Sequence, residues 1–145
     1  MDNTELLAAI GRIVVNGATL EYAVAELVAV SEGLRDDEAR QERAVAIVRV
    51  PGQAMRLFRR LAELHQDRDL SWLLGQVELM LGARHFVAHS VAQEDAVAEG
   101  HPALFILQPR HGETMITTVL ARKNAEMIGQ GIGWVRERIV AELAG

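Results

Sequence analysis

The chain has 145 residues, half of them hydrophobic and 24% charged, with a formal net charge of −5 and no cysteine. That length suits one compact domain, 1–145, around a single core. Disulfides and thiolate metal sites are excluded, and the acidic balance excludes a protein that coats nucleic acid by bulk electrostatics. No basic-then-apolar leader opens the sequence, and no apolar run approaches the roughly 18 residues of a membrane span. A cytoplasmic protein with no membrane partner is expected.

Asn3 or Thr4 caps a first helix that runs to about residue 30, with Leu6, Ile10, Ile13, Val14, Leu20, Val24, Leu27 and Val28 on its apolar face. Gly11 and Gly17 each lower its helix propensity by roughly 1 kcal/mol and serve either close packing or a bend. Ser31-Glu32-Gly33 stops it. Asp36 or Asp37 caps a second helix to about residue 48. Pro51 opens a third, 51–65, whose apolar side is Met55, Phe58, Leu61, Ala62 and Leu64. Asp67 or Asp69 caps a long fourth helix with Trp72, Leu73, Val77, Met80, Leu81, Val87 and Ala88 at helical period.

The pattern changes after Gly100-His101-Pro102. Short apolar or β-branched runs at 103–108 and 114–119, joined by the turn-rich 109–113, predict a two-stranded hairpin over 103–119 that leans on the helices. The last helix, about 121–143, carries the stripe Ala125, Ile128, Ile132, Val135, Ile139, Leu143, which is a bundle seam or a dimer seam. The expected fold is mainly α: an up-and-down bundle of about five helices with a small β-hairpin before the last one.

Chemistry concentrates where the fourth helix ends, in Leu81-Gly82-Ala83-Arg84-His85-Phe86-Val87-Ala88-His89-Ser90. An arginine holds phosphate charge and an imidazole moves protons near neutral pH, which together equip a site for cleaving a phosphodiester. Arg60 and His65 repeat the same spacing, so context decides. His85 gives Arg84 a polar neighbour, and Ala88 and Ser90 keep bulk low around His89. Positions five apart on a regular helix lie about 140° around its axis, so Arg84 must bend, or the helix distort, for the two to meet.

The Arg84-His85-Phe86-Val87-Ala88-His89-Ser90 run resembles the arginine–polar–x–x–x–histidine motif of HEPN domains, and Leu20-Glu21 resembles the helix those bundles place opposite it. His85 stands where many bacterial members carry asparagine. The resemblance implies a metal-independent endoribonuclease with no cofactor, acting on RNA as a homodimer in which two motifs face a shared cleft. Arg84 and His89 would be the catalytic pair, with His85, Ser90 and Glu21 supporting or orienting them. A toxin or phage-defence role, restrained by an antitoxin or other regulatory protein, is also implied.

Other readings of these residues compete. Arg84 is equally the ion-pair partner of Glu21 inside a bundle, which makes the chain a non-catalytic module for binding a nucleotide or a protein. His85 and His89 share a helix face at metal-ligand spacing, but further ligands (Glu78, His65 or the Glu94-Asp95 pair) could join them only through tertiary folding, and no metal is expected. Six arginines (Arg40, Arg43, Arg49, Arg56, Arg59, Arg60) face one acid, Glu42, over 40–60. Arg49, Arg56, Arg59 and Arg60 are candidate RNA-backbone contacts, against a solvated helix surface as the plainer reading. Gly129-Gln130-Gly131-Ile132-Gly133 reads as helix packing rather than a phosphate loop, because no strand precedes it. Trp72 and Trp134 read as packing residues, with a dimer contact as a second reading for Trp134, and His101 and His111 as surface.

Overall fold

The computed structural model describes the backbone of residues 4–88, 90–98, 101–108 and 112–145, and the side chains of 4–85 and 118–145. Five helices occupy most of the described chain: α1 (Thr4–Ser31), α2 (Asp37–Val48), α3 (Gln53–His65), α4 (Arg68–Ala88) and α5 (Thr118–Ala144). The protein is a mainly helical bundle.

The caps are local and chemical. Gly33, at φ 91°, ends α1 in the left-handed region, and the Gly33 and Leu34 amides donate back to the Val30 and Ala29 carbonyls at 2.9 and 3.2 Å. Asp36 caps α2 by accepting from the Ala39 amide at 3.0 Å. Asp67 caps α4, one carboxylate oxygen taking the Asp69 and Leu70 amides at 2.9 and 3.3 Å. The third helix does not begin at Pro51. Pro51-Gly52 form a turn, Gly52 adopts φ 75°, and α3 starts at Gln53.

Packing is organised around α1, which buries Leu6, Ile13, Leu20 and Leu27 at seven-residue intervals, with Gly17 and Val24 between. The α5 stripe Ala125, Ile128, Ile132, Val135, Ile139 is buried in this same core. It is therefore a seam within the bundle and not an open dimer seam. The Asn16 side-chain amide ties the two helices by donating to the Ala125 carbonyl at 3.2 Å. Phe58, Ile47, Leu70 and Val77 bring α3, α2 and α4 onto the same core. Gly131 admits the Met80 side chain, whose sulfur a Cβ there would overlap, so the glycine-rich run in α5 is a packing device.

Four expectations need correction. Leu64 is 78% exposed, so it does not belong to the apolar side of α3, and Trp72 is 54% exposed, so it is not simply a packing residue. Between α4 and α5 the chain forms three antiparallel strands, one more than expected: β1 (Ser90–Ala98), β2 (His101–Gln108) and β3 (Gly112–Thr117), in the order β1-β2-β3. Ser90 pairs with Ile106, and the register slips between Ala92 and Val97. Finally, α1 does contain an apolar run of spanning length. Its 28 residues include an 18-residue window of mean hydropathy 1.5, long and apolar enough to cross a membrane by length and composition, and 56% of that window is buried within the bundle.

Candidate functional site

Arg84 projects from α4 onto α1. Its position follows from the core: Met80, one turn earlier on α4, is buried, so the next residue on that stripe also faces the bundle. The aliphatic stem of Arg84 lies across Gly17, where a Cβ would overlap the Arg84 Cδ and crowd its Cγ and Cβ. One turn further along α1, Glu21 Oε2 accepts a hydrogen bond from Arg84 Nη1 at 2.9 Å. Gly17 thus supplies the notch and Glu21 the anchor, and together they fix the trajectory of the guanidinium. The pair is half-buried, with the side chains of Arg84 and Glu21 29% and 19% exposed. Among the described residues this is the one hydrogen bond Arg84 makes.

His85 is exposed on α4, about 100° around the axis from Arg84. α4 ends at Ala88 and β1 begins at Ser90. His89 lies outside the described residues, as does the side chain of Ser90, so of the proposed set the structure brings together Arg84 and Glu21. His101 also lies outside the described side chains, and His111 outside the described residues. Among the described residues, no three histidine, aspartate or glutamate side chains gather as a metal site would require.

The arginine-rich segment divides into two groups. Arg40 is buried, 7% exposed, where the sequence placed it in a basic surface run. Its Nη2 meets Asp37 Oδ1 at 2.6 Å, its Nη1 donates to the Arg35 carbonyl at 3.1 Å, and its Nε stands 3.7 Å from Glu26 Oε2 without a hydrogen bond. The signal was present: Arg40, Ala44 and Ile47 form the buried stripe of α2. Beside it, burial raises the Tyr22 hydroxyl pKa, helped by the negative charge of Glu26. Arg43 forms a two-pronged pair with Glu32 at 3.0 and 3.1 Å, which raises its pKa further.

Of the four candidate RNA contacts, Arg59 is paired with Glu78 at 2.8 Å. Arg49, Arg56 and Arg60 make no ion pair among the described residues. Arg56 and Arg60, one turn apart on α3, border an open hollow of about 330 Å³ with Gln53 and Leu57. Glu78 and Arg84 project from α4 about 120° apart, so the α3 arginines flank a different side of α4 from the Arg84–Glu21 pair.

A second charged centre, missed by sequence reasoning, lies at the other end of α4. Arg138 Nη2 contacts Asp67 Oδ2 and Glu142 Oε1, each at 2.8 Å. The Arg138 guanidinium, then the capped amides of α4, hold the Asp67 carboxyl below its ordinary pKa, and Asp67 in turn raises that of Arg138. These residues border a cavity of about 440 Å³ with Arg35, Ser31 and His65. No family model, curated protein or solved structure matches the chain.

Proposed function

We propose that the protein is a metal-independent endoribonuclease of the HEPN type, acting as a homodimer with RNA as its substrate. The observation that carries this reading is the half-buried Arg84, held on α1 by Gly17 and Glu21, five positions before His89. A guanidinium oriented this way is suited to a phosphate whose charge grows during the reaction.

The chemistry needs no metal. The 2′-hydroxyl of RNA attacks the adjacent phosphorus, the 2′-oxygen–phosphorus bond forms, and the bond from phosphorus to the 5′-oxygen breaks. One imidazole removes the 2′ proton and a second protonates the leaving oxygen, giving a 2′,3′-cyclic phosphate and a 5′-hydroxyl. Each chain has one such motif, so His89 from two copies supplies both roles across a two-fold axis. Since the α5 stripe is already buried, the copies must meet through another face. Toxin or phage-defence activity under an antitoxin belongs to this proposal, as does a cytoplasmic location, which suits a chain without cysteine.

The test is cleavage of mixed RNA by purified protein in EDTA, beside Arg84→Ala and His89→Ala. Cyclic-phosphate ends from the wild type and loss of cleavage in both variants are expected. Equal activity in all three would overturn the assignment. A second reading has its own support: the Arg84–Glu21 contact spans sixty-three positions of sequence and is what a purely structural staple between α1 and α4 also requires. In that case the chain is a helical binding module, correctly folded and silent towards RNA.

A further inference from the structure

The two tryptophans of the chain meet in a groove between the start of α4 and the end of α5. The Trp72 and Trp134 rings lie 5.1 Å apart and tilted by 55°. Trp72 is 54% exposed, although an indole is among the side chains that gain most from burial. Each ring has an acid beside it. Asp69 precedes Trp72 by three residues on α4 and Glu137 follows Trp134 by three on α5, the spacing that makes neighbours on a helix face. Both carboxylates are exposed, and neither forms an ion pair among the described residues.

The same groove contains two arginines, both engaged. Arg35 donates to the Leu143 and Gly145 carbonyls at 2.9 and 3.0 Å, and Arg138 is held by Asp67 and Glu142. The three acids that line the groove, Asp69, Glu137 and Glu142, outweigh these two cations, leaving a local excess of one negative charge. Indole faces alone would accept a nucleobase, but this charge repels the phosphates that come with it. The combination of open aromatic faces and unpaired carboxylates selects a cation.

We propose that this groove binds an arginine carried on a peptide segment of a partner protein. Its planar guanidinium stacks on the indoles while its edge donates to Asp69 and Glu137. A lysine fits less well, since a strongly hydrated ammonium cannot stack and offers no fork of donors. The volume of about 680 Å³ exceeds the need of one side chain and accommodates the residues flanking it, which favours a peptide over a free small cation. The inference stands apart from the RNA reading, since it uses neither Arg84 nor His89.

The experiment is a titration of the full chain by nitrogen-15 NMR, following its two indole N–H signals. The probes are a terminally blocked five-residue peptide with a central arginine flanked by alanine and leucine, its lysine and glutamine analogues, and a single-stranded RNA oligonucleotide. Saturable shifts of both indoles are expected with the arginine peptide, and weaker binding with lysine. The paired Asp69→Asn and Glu137→Gln substitutions are expected to weaken binding about tenfold. Trp72→Ala, followed through the Trp134 signal, is expected to weaken it about two- to fivefold with an unchanged circular-dichroism spectrum. Equal responses to the arginine and glutamine peptides, a response to RNA alone, or no response to any probe would each overturn the proposal.

Discussion

The two ends of α4 carry arginine–carboxylate centres of different build: two carboxylates on Arg138, one on Arg84. At its start, Arg138 of α5 touches two carboxylates, one of which, Asp67, also caps the helix. The centre joins α4 to α5. Near its end, Arg84 makes one hydrogen bond among the described residues, to Glu21, and rests its stem in the notch at Gly17. The same chemistry thus yields a two-carboxylate clasp in one place and, among the described residues, a guanidinium held by one carboxylate in the other. Orientation separates Arg84 from the arginine-rich 40–60 segment: Gly17 and Glu21 fix its stem and head, whereas Arg49, Arg56 and Arg60 make no ion pair among the described residues.

Alanine substitution at both arginines gives the largest contrast. Arg84→Ala is expected to cut RNA cleavage about 10²–10³-fold, the effect of deleting one oriented donor at a reacting phosphate, while Arg138→Ala leaves the rate unchanged and lowers the melting temperature. Rate assays and thermal melts on the same samples check this; equal rate losses would erase the distinction between the two centres. Next comes the notch. Gly17→Val puts bulk where the Arg84 stem lies and is expected to cost about 1–3 kcal/mol in urea unfolding. Gly11→Val, on the open side of α1, is expected to cost little, and a similar cost at both positions would show that Gly17 holds no special place. Glu21→Gln is smaller, about 1–2 kcal/mol once solvent screening of a half-buried pair is allowed for.

How much of this was legible follows from what each feature depends on. The α5 stripe, the stop at Gly33 and the caps at Asp36 and Asp67 depend on neighbours within one helical turn or on a single periodicity, and all can be read directly from the chain. Glu21 stood out as a partner for Arg84 because a carboxylate amid apolar neighbours needs a cation. The notch at Gly17 did not, because a glycine offers the same two explanations, packing or bending, until the opposing side chain is placed. Arg40 was misjudged because charge was weighed before period, and Trp72 because a helical period fixes a face and not what covers it. The strand β1 was missed where Glu94-Asp95 interrupts the apolar alternation, within the stretch where the register slips. His89, on which the catalytic reading turns, lies outside the described residues.

The smallest expected effect is the pH dependence of the Arg138 centre. Asp67 has a folded-state pKa below its unfolded value of about 3.9, because Arg138 and the α4 amides favour its charged form. Below that value the unfolded chain binds the proton first, so stability falls as pH falls. The contribution is fully present above about pH 4 and disappears as the pH drops through the depressed folded pKa. Asp67→Asn removes this dependence and, because asparagine still accepts from the α4 amides, retains much of the cap. Melting temperatures of wild type and variant should therefore differ at neutral pH and converge as the solution is acidified towards pH 2. If the Asp67→Asn curve instead runs parallel to the wild type down to pH 2, the Arg138 centre is not the acid-sensitive fastener of α4, and the contrast between its two ends fails at this one.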